Sequence, residues 1–208
     1  MTRERNSPAR VIGILLAGGA GRRFGGGKLL ATLADGTPVG ARAAANLIAV
    51  LPDTIAVVRP GDDALAAMLR DEGAWVSVCP ESVEGMGASL AHGVAVADGA
   101  SKGCAIGYVV ALADMPWISV ETIDRVARAI GEGAPIAVPR YQGKRGHPAG
   151  FGNAYRGDLL GLSGDAGAKA LIDAAGDIRW IDVEDAGILA DVDAPVDLAR
   201  LTKNITAE

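Results

Sequence analysis

Apolar residues run without a break from Val11 to Leu16 and stop at a glycine cluster, in the stretch "VIGILLAGG". A short run with no polar face predicts a parallel strand covered on both sides, here closing by Gly18. The same signal returns in "TIAVVR" (Thr54 to Arg59), "AWVSVC" (Ala74 to Cys79), "CAIGYVVALADMPW" (from Cys104) and "PIAVPR" (from Pro135). Between these runs the spacing becomes helical. "PVGARAAANLIAVL" predicts a helix with Pro38 in its first turn, and "DDALAAMLRDEG" one that stops at Gly73. "GASLAHGVAVA" has helical spacing from Ser89 to about Ala97, and Ser119 reads as the N-cap of "VETIDRVARAI". Strands alternating with helices predict a Rossmann-like three-layer α/β/α fold around a mostly parallel sheet.

After Tyr141 the rhythm changes. "YQGKRGHPAGFG" is rich in glycine and cations and has little periodicity. Helical patches follow near Asn153 to Leu160 and Asp165 to Ala174, then strands at "IRWIDV" and "GILADV", and a closing helix from Pro195 to Leu201. We read a polar tail over residues 1–10 and a single domain over 11–208, whose halves meet near residue 140.

At 208 residues the chain is long enough for one sizeable domain, and 50% of it is hydrophobic but only 4% aromatic. The core must therefore be built from Ala, Val, Leu and Ile, with Trp75, Trp117 and Trp180 as scattered packing residues. A formal net charge of -5 argues against a nucleic-acid partner. The polar start and the short, glycine-broken apolar run give no signal or membrane segment, so a cytoplasmic location is expected. Cys79 and Cys104 lack C-x-x-C spacing and a histidine cluster nearby in sequence. They read as reduced core residues, neither zinc ligands nor a disulfide framework. His92 has no partner signal and reads as structural or surface.

The glycine loop carries the first chemistry. "LLAGGAGRRFGGGKLLA" sets Arg22, Arg23 and Lys28 among glycines directly behind a buried strand, which suggests an anion as the ligand. A P-loop would need glycine at Arg22 and a hydroxyl at Leu29, and a dinucleotide fingerprint would need glycine at Phe24. Neither fits. Strand, then L-A-G-G-x-G-x-R-F-G, then lysine resembles the signature loop of nucleotidyltransferases that hold an NTP on a parallel sheet. That loop comprises Leu16, Ala17, Gly18, Gly19, Gly21, Arg22, Arg23 and Lys28.

Ligands of open parallel sheets bind outside the carboxyl ends of the strands. Asp114, in "LADMP", arrives at the same edge as the glycine loop and is suited to Mg²⁺ bridging phosphate oxygens. Asp193, in "DVDAPVDLA", fits two roles: a metal ligand, or the N-cap of the final helix. Lys144, Arg145 and His147 in "GKRGHP" read either as a second anion site or as a solvated loop.

The stretches "LAGGAGRRFGGGKLLA", "CPESVEGMGASLAHGV", "LADMPWIS", "RGHPAGFG", "LSGDAGAKALI" and "DVDAPVDLA" occur in one order from Val11 to Leu201. In that order they resemble the MobA-like molybdenum cofactor nucleotidyltransferases, most closely the cytidylyltransferase branch. The resemblance implies a nucleotidyltransferase of GT-A-like type. It would transfer CMP from CTP to the phosphate of molybdopterin or Mo-molybdopterin and release pyrophosphate. Arg23 and Lys28 would hold the triphosphate, Asp114 and Asp193 Mg²⁺, and Gly87 and Ser89 the base and ribose. Lys144, Arg145 and His147 would face the second substrate, so residues 11–140 form an NTP half and 141–202 a second-substrate half. "LAGG" itself is nearer the guanylyl pattern, because the cytidylyl branch more often has alanine at Gly18; GTP is the rival nucleotide. Other readings are a sugar- or polyol-phosphate nucleotidyltransferase and a non-catalytic cofactor carrier. A recipient molybdoenzyme would be a transient partner.

Overall fold

The computed structural model describes residues 10–19, 24–165 and 167–198. Strands β1 (Arg10–Leu16), β2 (Thr54–Val58), β3 (Trp75–Val78) and β4 (Ala105–Leu112) pair in parallel in the order β3-β2-β1-β4. The sheet continues through β7 (Ala149–Gly152), antiparallel to β4, and β5 (Ile136–Tyr141), antiparallel to β7. β6 (Lys144–Arg145) and β8 (Arg179–Asp182) both pair with β5. The expected three-layer, mostly parallel α/β architecture is what forms. Helices α1 (Val39–Val50), α2 (Asp63–Asp71) and α4 (Val120–Gly131) pack on one face. Helices α3 (Met86–Ser101), α5 (Arg156–Leu160) and α6 (Lys169–Ala174) pack on the other.

The continuous apolar pattern of β1 follows from this double cover. Leu15 faces the cluster under α1, whereas Ile12, Ile14 and Leu16 face the cluster under α3. From Ile12 onward neither face of the strand meets water, so neither needs a polar residue. At the other end of α4's loop, Ser119 Oγ accepts a hydrogen bond from the Thr122 amide at 3.1 Å, the cap its sequence position suggested.

The glycine-rich segment after Tyr141 departs from its aperiodic reading. Gln142 and Gly143 both have positive φ, 47° and 76°, and join β5 to β6 as a two-residue hairpin turn. β7 then enters the sheet between β4 and β5, with all four residues buried. Its alternate glycines hide it from a periodicity search, and they serve packing. A Cβ on Gly150 would lie 2.6 Å from Ile130 Cγ1 and 3.0 Å from Val126 Cγ1, so α4 approaches the sheet here because no side chain intervenes.

"GILADV" is not a strand. Residues Ala186–Leu189 form a 3-10 turn capped by Asp185, whose Oδ1 accepts from the Gly187 amide at 3.0 Å. Ile188 is fully buried, and its carbonyl accepts from the His147 amide at 3.1 Å, so the segment spends its backbone on the loop before β7. Helix α3 starts earlier and ends later than its apolar spacing implied. Residues 195–198 are helical, while 199–201 of the expected closing helix lie outside the described residues. Cys79 is buried as expected but Cys104 is only partly so, and Trp75 stands 66% exposed on edge strand β3.

Gly150→Val is expected to destabilise the fold by about 1–3 kcal/mol through overpacking against Ile130 and Val126. Urea unfolding of the variant with an unchanged midpoint would show that α4 can retreat without loss.

Candidate active site

Register brings the site together. Leu16 of β1 pairs with Leu112 of β4, and the Ala113 amide donates to the Leu16 carbonyl at 3.0 Å. The two strands therefore end level, and the glycine loop and Asp114 leave the sheet side by side. They open onto a cleft of about 570 Å³ lined by Leu16, Ala17, Gly18, Gly19, Lys28, Ser89 and Asp114 among others.

Lys28 opens a 3-10 turn (Lys28–Leu30) that seats Leu29 in the core and turns the ammonium inward. Its Nζ donates to Asp114 Oδ2 at 2.6 Å and lies 3.6 Å from Asp193 Oδ1. The other oxygen, Asp114 Oδ1, is buried and accepts no hydrogen bond. One ammonium thus faces two carboxylates. The Asp191 carboxyl, next along the same segment, is pushed above the ordinary carboxylate range by partial desolvation and then by the charges of Asp193 and Asp114.

A second aspartate, Asp197, takes part at the start of the last helix beside Asp193. Asp197 Oδ2 accepts from the amides of Asp193 and Ala194 at 3.0 and 2.8 Å. Asp197 thus reaches back to the start of its own helix, as the third residue of a capping box does. The Asp193 carboxylate meanwhile lies beside Lys28.

The opposite wall is the 3-10 turn Pro80–Glu84 followed by the N-terminus of α3, which no side chain caps. Ser89 Oγ donates to the Gly85 carbonyl at 3.3 Å, and Ser82 Oγ is buried without a partner. The Gly87 amide donates to the Gly164 carbonyl at 2.8 Å, which brings the 161–165 stretch over this wall and sets Asp165 in the cleft. Gly87 itself is buried under that contact.

Of the residues expected to face the second substrate, Lys144 is exposed in β6 and Arg145 is tied to Asp173 of α6. His147 turns inward, and its Nδ1 is buried with no partner. Burial holds the imidazole pKa below its usual value; the Asp114 charge opposes that shift and the Arg145 charge adds to it. The fold does not, therefore, gather these three into one cationic patch. Gly21, Arg22 and Arg23 lie outside the described residues.

Several cleft residues escaped the sequence reading. Arg59 follows β2 at the same carboxyl edge and is held by Asp62, with Nε to Oδ2 at 2.7 Å. Its signal was available, since a cation directly after a parallel strand belongs to the ligand edge. Ser82, Glu84 and Asp165 had none, because the turn and loop that carry them meet only in the fold.

The donors fit a small, hard divalent cation. Asp114 offers an unused oxygen, Asp193 a second carboxylate nearby, and Mg²⁺ is commonly held by one or two carboxylates plus substrate phosphates.

A model of the MobA-like NTP transferase domain matches residues 13–178. The chain belongs to this family. Purine catabolism protein PucB of Bacillus subtilis is 29% identical over 195 residues, covering 89% of this chain and 92% of the relative. Nicotine blue oxidoreductase of Paenarthrobacter nicotinovorans is 30% identical, covering 92% and 96%. A probable molybdenum cofactor guanylyltransferase of Mycobacterium avium is 31% identical over 211 residues, covering 93% and 96%. Among solved structures, Rv0371c of Mycobacterium tuberculosis superposes with a TM-score of 0.79 at 28% identity, covering 93% of this chain and 98% of that one. Its manganese complex superposes at 0.75 with 25% identity, covering 94% and 100%. Among the described residues no helix is long and apolar enough to cross a membrane.

Neutral His147 has a stability signature. As pH falls through 6.5, the ordinary histidine value, the unfolded chain takes up a proton that the folded site resists, so stability drops. His147→Gln is expected to remove that component. Its thermal midpoint should gain on wild type as pH is lowered below 6.5; parallel pH profiles would mean His147 protonates freely in place.

Proposed function

We propose that this protein is a Mg²⁺-dependent nucleotidyltransferase that joins a nucleoside monophosphate to molybdopterin. The observation that carries the reading is the buried, unpartnered Asp114 Oδ1 beside Lys28 and Asp193, at the carboxyl edge of a sheet that belongs to an NTP transferase family. A bound Mg²⁺ would neutralise phosphate oxygens and favour a leaving pyrophosphate. Asp114 and Asp193 would hold it.

The remaining work falls to the chain's own groups. Lys28 releases Asp114 in part and turns its ammonium to the triphosphate, with Arg23 of the glycine loop and Arg59 adding positive charge. Ser82, Ser89 and the uncapped start of α3 receive the nucleoside. A phosphate oxygen of molybdopterin attacks the α-phosphorus, the bond from that phosphorus to the bridging oxygen breaks, and pyrophosphate leaves with the electron pair. No covalent enzyme intermediate is needed, and catalysis rests on positioning and charge neutralisation. Of the "GKRGHP" group, His147 is the one whose ring feels the Asp114 charge, and we assign it to the side of the incoming substrate.

The motifs after the glycine loop, "EGMGASL", "GHP" and "LSGDAGAKALI", support CTP as the nucleotide by their resemblance to the cytidylyl branch. A second reading, GTP, has two observations in its favour: glycine at position 18 and relatives named as probable guanylyltransferases. The cleft leaves room for either residue there, since a Cβ on Gly18 would sit 3.4 Å from Ser82 Cβ and Ser89 Oγ.

Calorimetric titration of the four NTPs with Mg²⁺ decides between these. Selective CTP binding is the expected result; selective GTP binding would move the chain to the guanylyl reading, and no binding of any NTP would overturn the nucleotidyltransferase proposal. Asp114→Asn is expected to lower Mg²⁺-dependent turnover by a factor on the order of 100 or more, as loss of a charged ligand beside reacting phosphates should. Full activity in that variant would remove Asp114 from the mechanism.

A further inference from the structure

Neither cysteine has a zinc-site spacing in the sequence, yet the fold supplies partners for Cys79 that spacing could not. Cys79 follows β3, Glu81 lies in the 3-10 turn Pro80–Glu84, and His92 sits in α3. Their ligand atoms all fall within 4.8 Å of one another. We propose that Cys79, Glu81 and His92 form a zinc site behind the wall of the cleft, separate from the Asp114 and Asp193 carboxylates.

Geometry and donor chemistry both favour this. Cys79 Sγ lies 3.7 Å from Glu81 Oε2. Tetrahedral zinc with ordinary Zn–S and Zn–O bonds sets those two atoms about 3.5 Å apart. Ser77 Oγ is 2.8 Å from His92 Nε2; with the metal taken by the ring's other nitrogen, this would be the outer hydrogen bond that characteristically orients a metal-binding imidazole. Thiolate and imidazole together select zinc over magnesium, while the all-oxygen pair at Asp114 and Asp193 has the reverse preference. Three protein ligands leave a fourth position for water. Burial, with the Glu81 charge behind it, pushes the Cys79 thiol pKa up, so the metal-free side chain keeps its proton. Coordination replaces that S–H proton by the metal and releases it to solvent.

The site is coupled to the cleft by position. Glu81 shares its turn with Ser82, Val83 and Glu84, which line the cleft, and His92 shares a helix with Ser89. Zinc would tie the turn to the end of β3 and to α3, and so fix the wall against which the nucleoside rests.

The test uses the full chain, stripped with chelator, loaded with Zn²⁺ or Co²⁺ and desalted. Wild type is expected to retain about one equivalent of zinc and, with cobalt, to show a thiolate-to-cobalt charge-transfer band. Asp114→Asn and Cys104→Ser should keep both signals, which separates this site from the magnesium site and from the other thiol. Cys79→Ser should abolish the band. Because Cys79 is buried, Glu81→Gln and His92→Gln, at less buried positions, provide independent variants and should each weaken zinc binding about tenfold or more. Absence of the band in wild type, its persistence in Cys79→Ser, or unchanged zinc affinity in both other variants would overturn the proposal. These readouts do not depend on nucleotide transfer, so they stand or fall apart from the enzymatic reading.

Discussion

The parallel pairing of β1 with β4 is the constraint on which the rest of this site depends. It sets Leu16 opposite Leu112, so the glycine loop and the Asp114 strand end at one level. A slip of one residue would also turn Ile14 and Leu15 to the wrong helical layers, and both are fully buried. Core packing and site geometry are therefore fixed by the same register, and neither can change without the other.

Charge sets the second constraint. Lys28 is one positive group between Asp114 and Asp193, and partial burial, with their charges behind it, raises the pKa of the neighbouring Asp191. Lys28 is thus held by carboxylates at the carboxyl edge of β4. A divalent cation and a triphosphate arriving together would compete for the two sides of that arrangement, the cation for the carboxylates and the phosphates for the ammonium. Buried unpartnered atoms at Asp114 and Ser82 fit the same picture, since such groups in native proteins commonly have a ligand or ion to meet.

Much of this could be read before any coordinates. Most strands and helices before Pro139 follow from uninterrupted apolar runs and helical spacing, because those elements are buried in a simple way; edge strand β3 keeps its apolar run although Trp75 and Val78 are exposed. The "YQGKRGHPAGFG" segment could not be read that way. β7 is a central strand whose pattern is erased by Gly150 and Gly152, residues chosen by the close approach of α4 and the 134–135 backbone. "GILADV" misled for a different reason: Ile188, Ala190 and Val192 are buried as a strand's inner residues would be, but Asp185 caps a turn and Ile188 packs into the core without a sheet partner.

The sequence by itself determined the layered α/β class, the glycine cluster behind β1, and the delivery of Asp114 to the same sheet edge, because each of these is a local or strand-order property. Only the tertiary structure decided that Asp197 reaches back to the start of the last helix, that Arg145 is held by α6 while His147 turns inward, and that Cys79 comes near His92. Those outcomes depend on side chains from elements far apart in the chain competing for the same neighbours. Composition and spacing carry no record of which competitor wins.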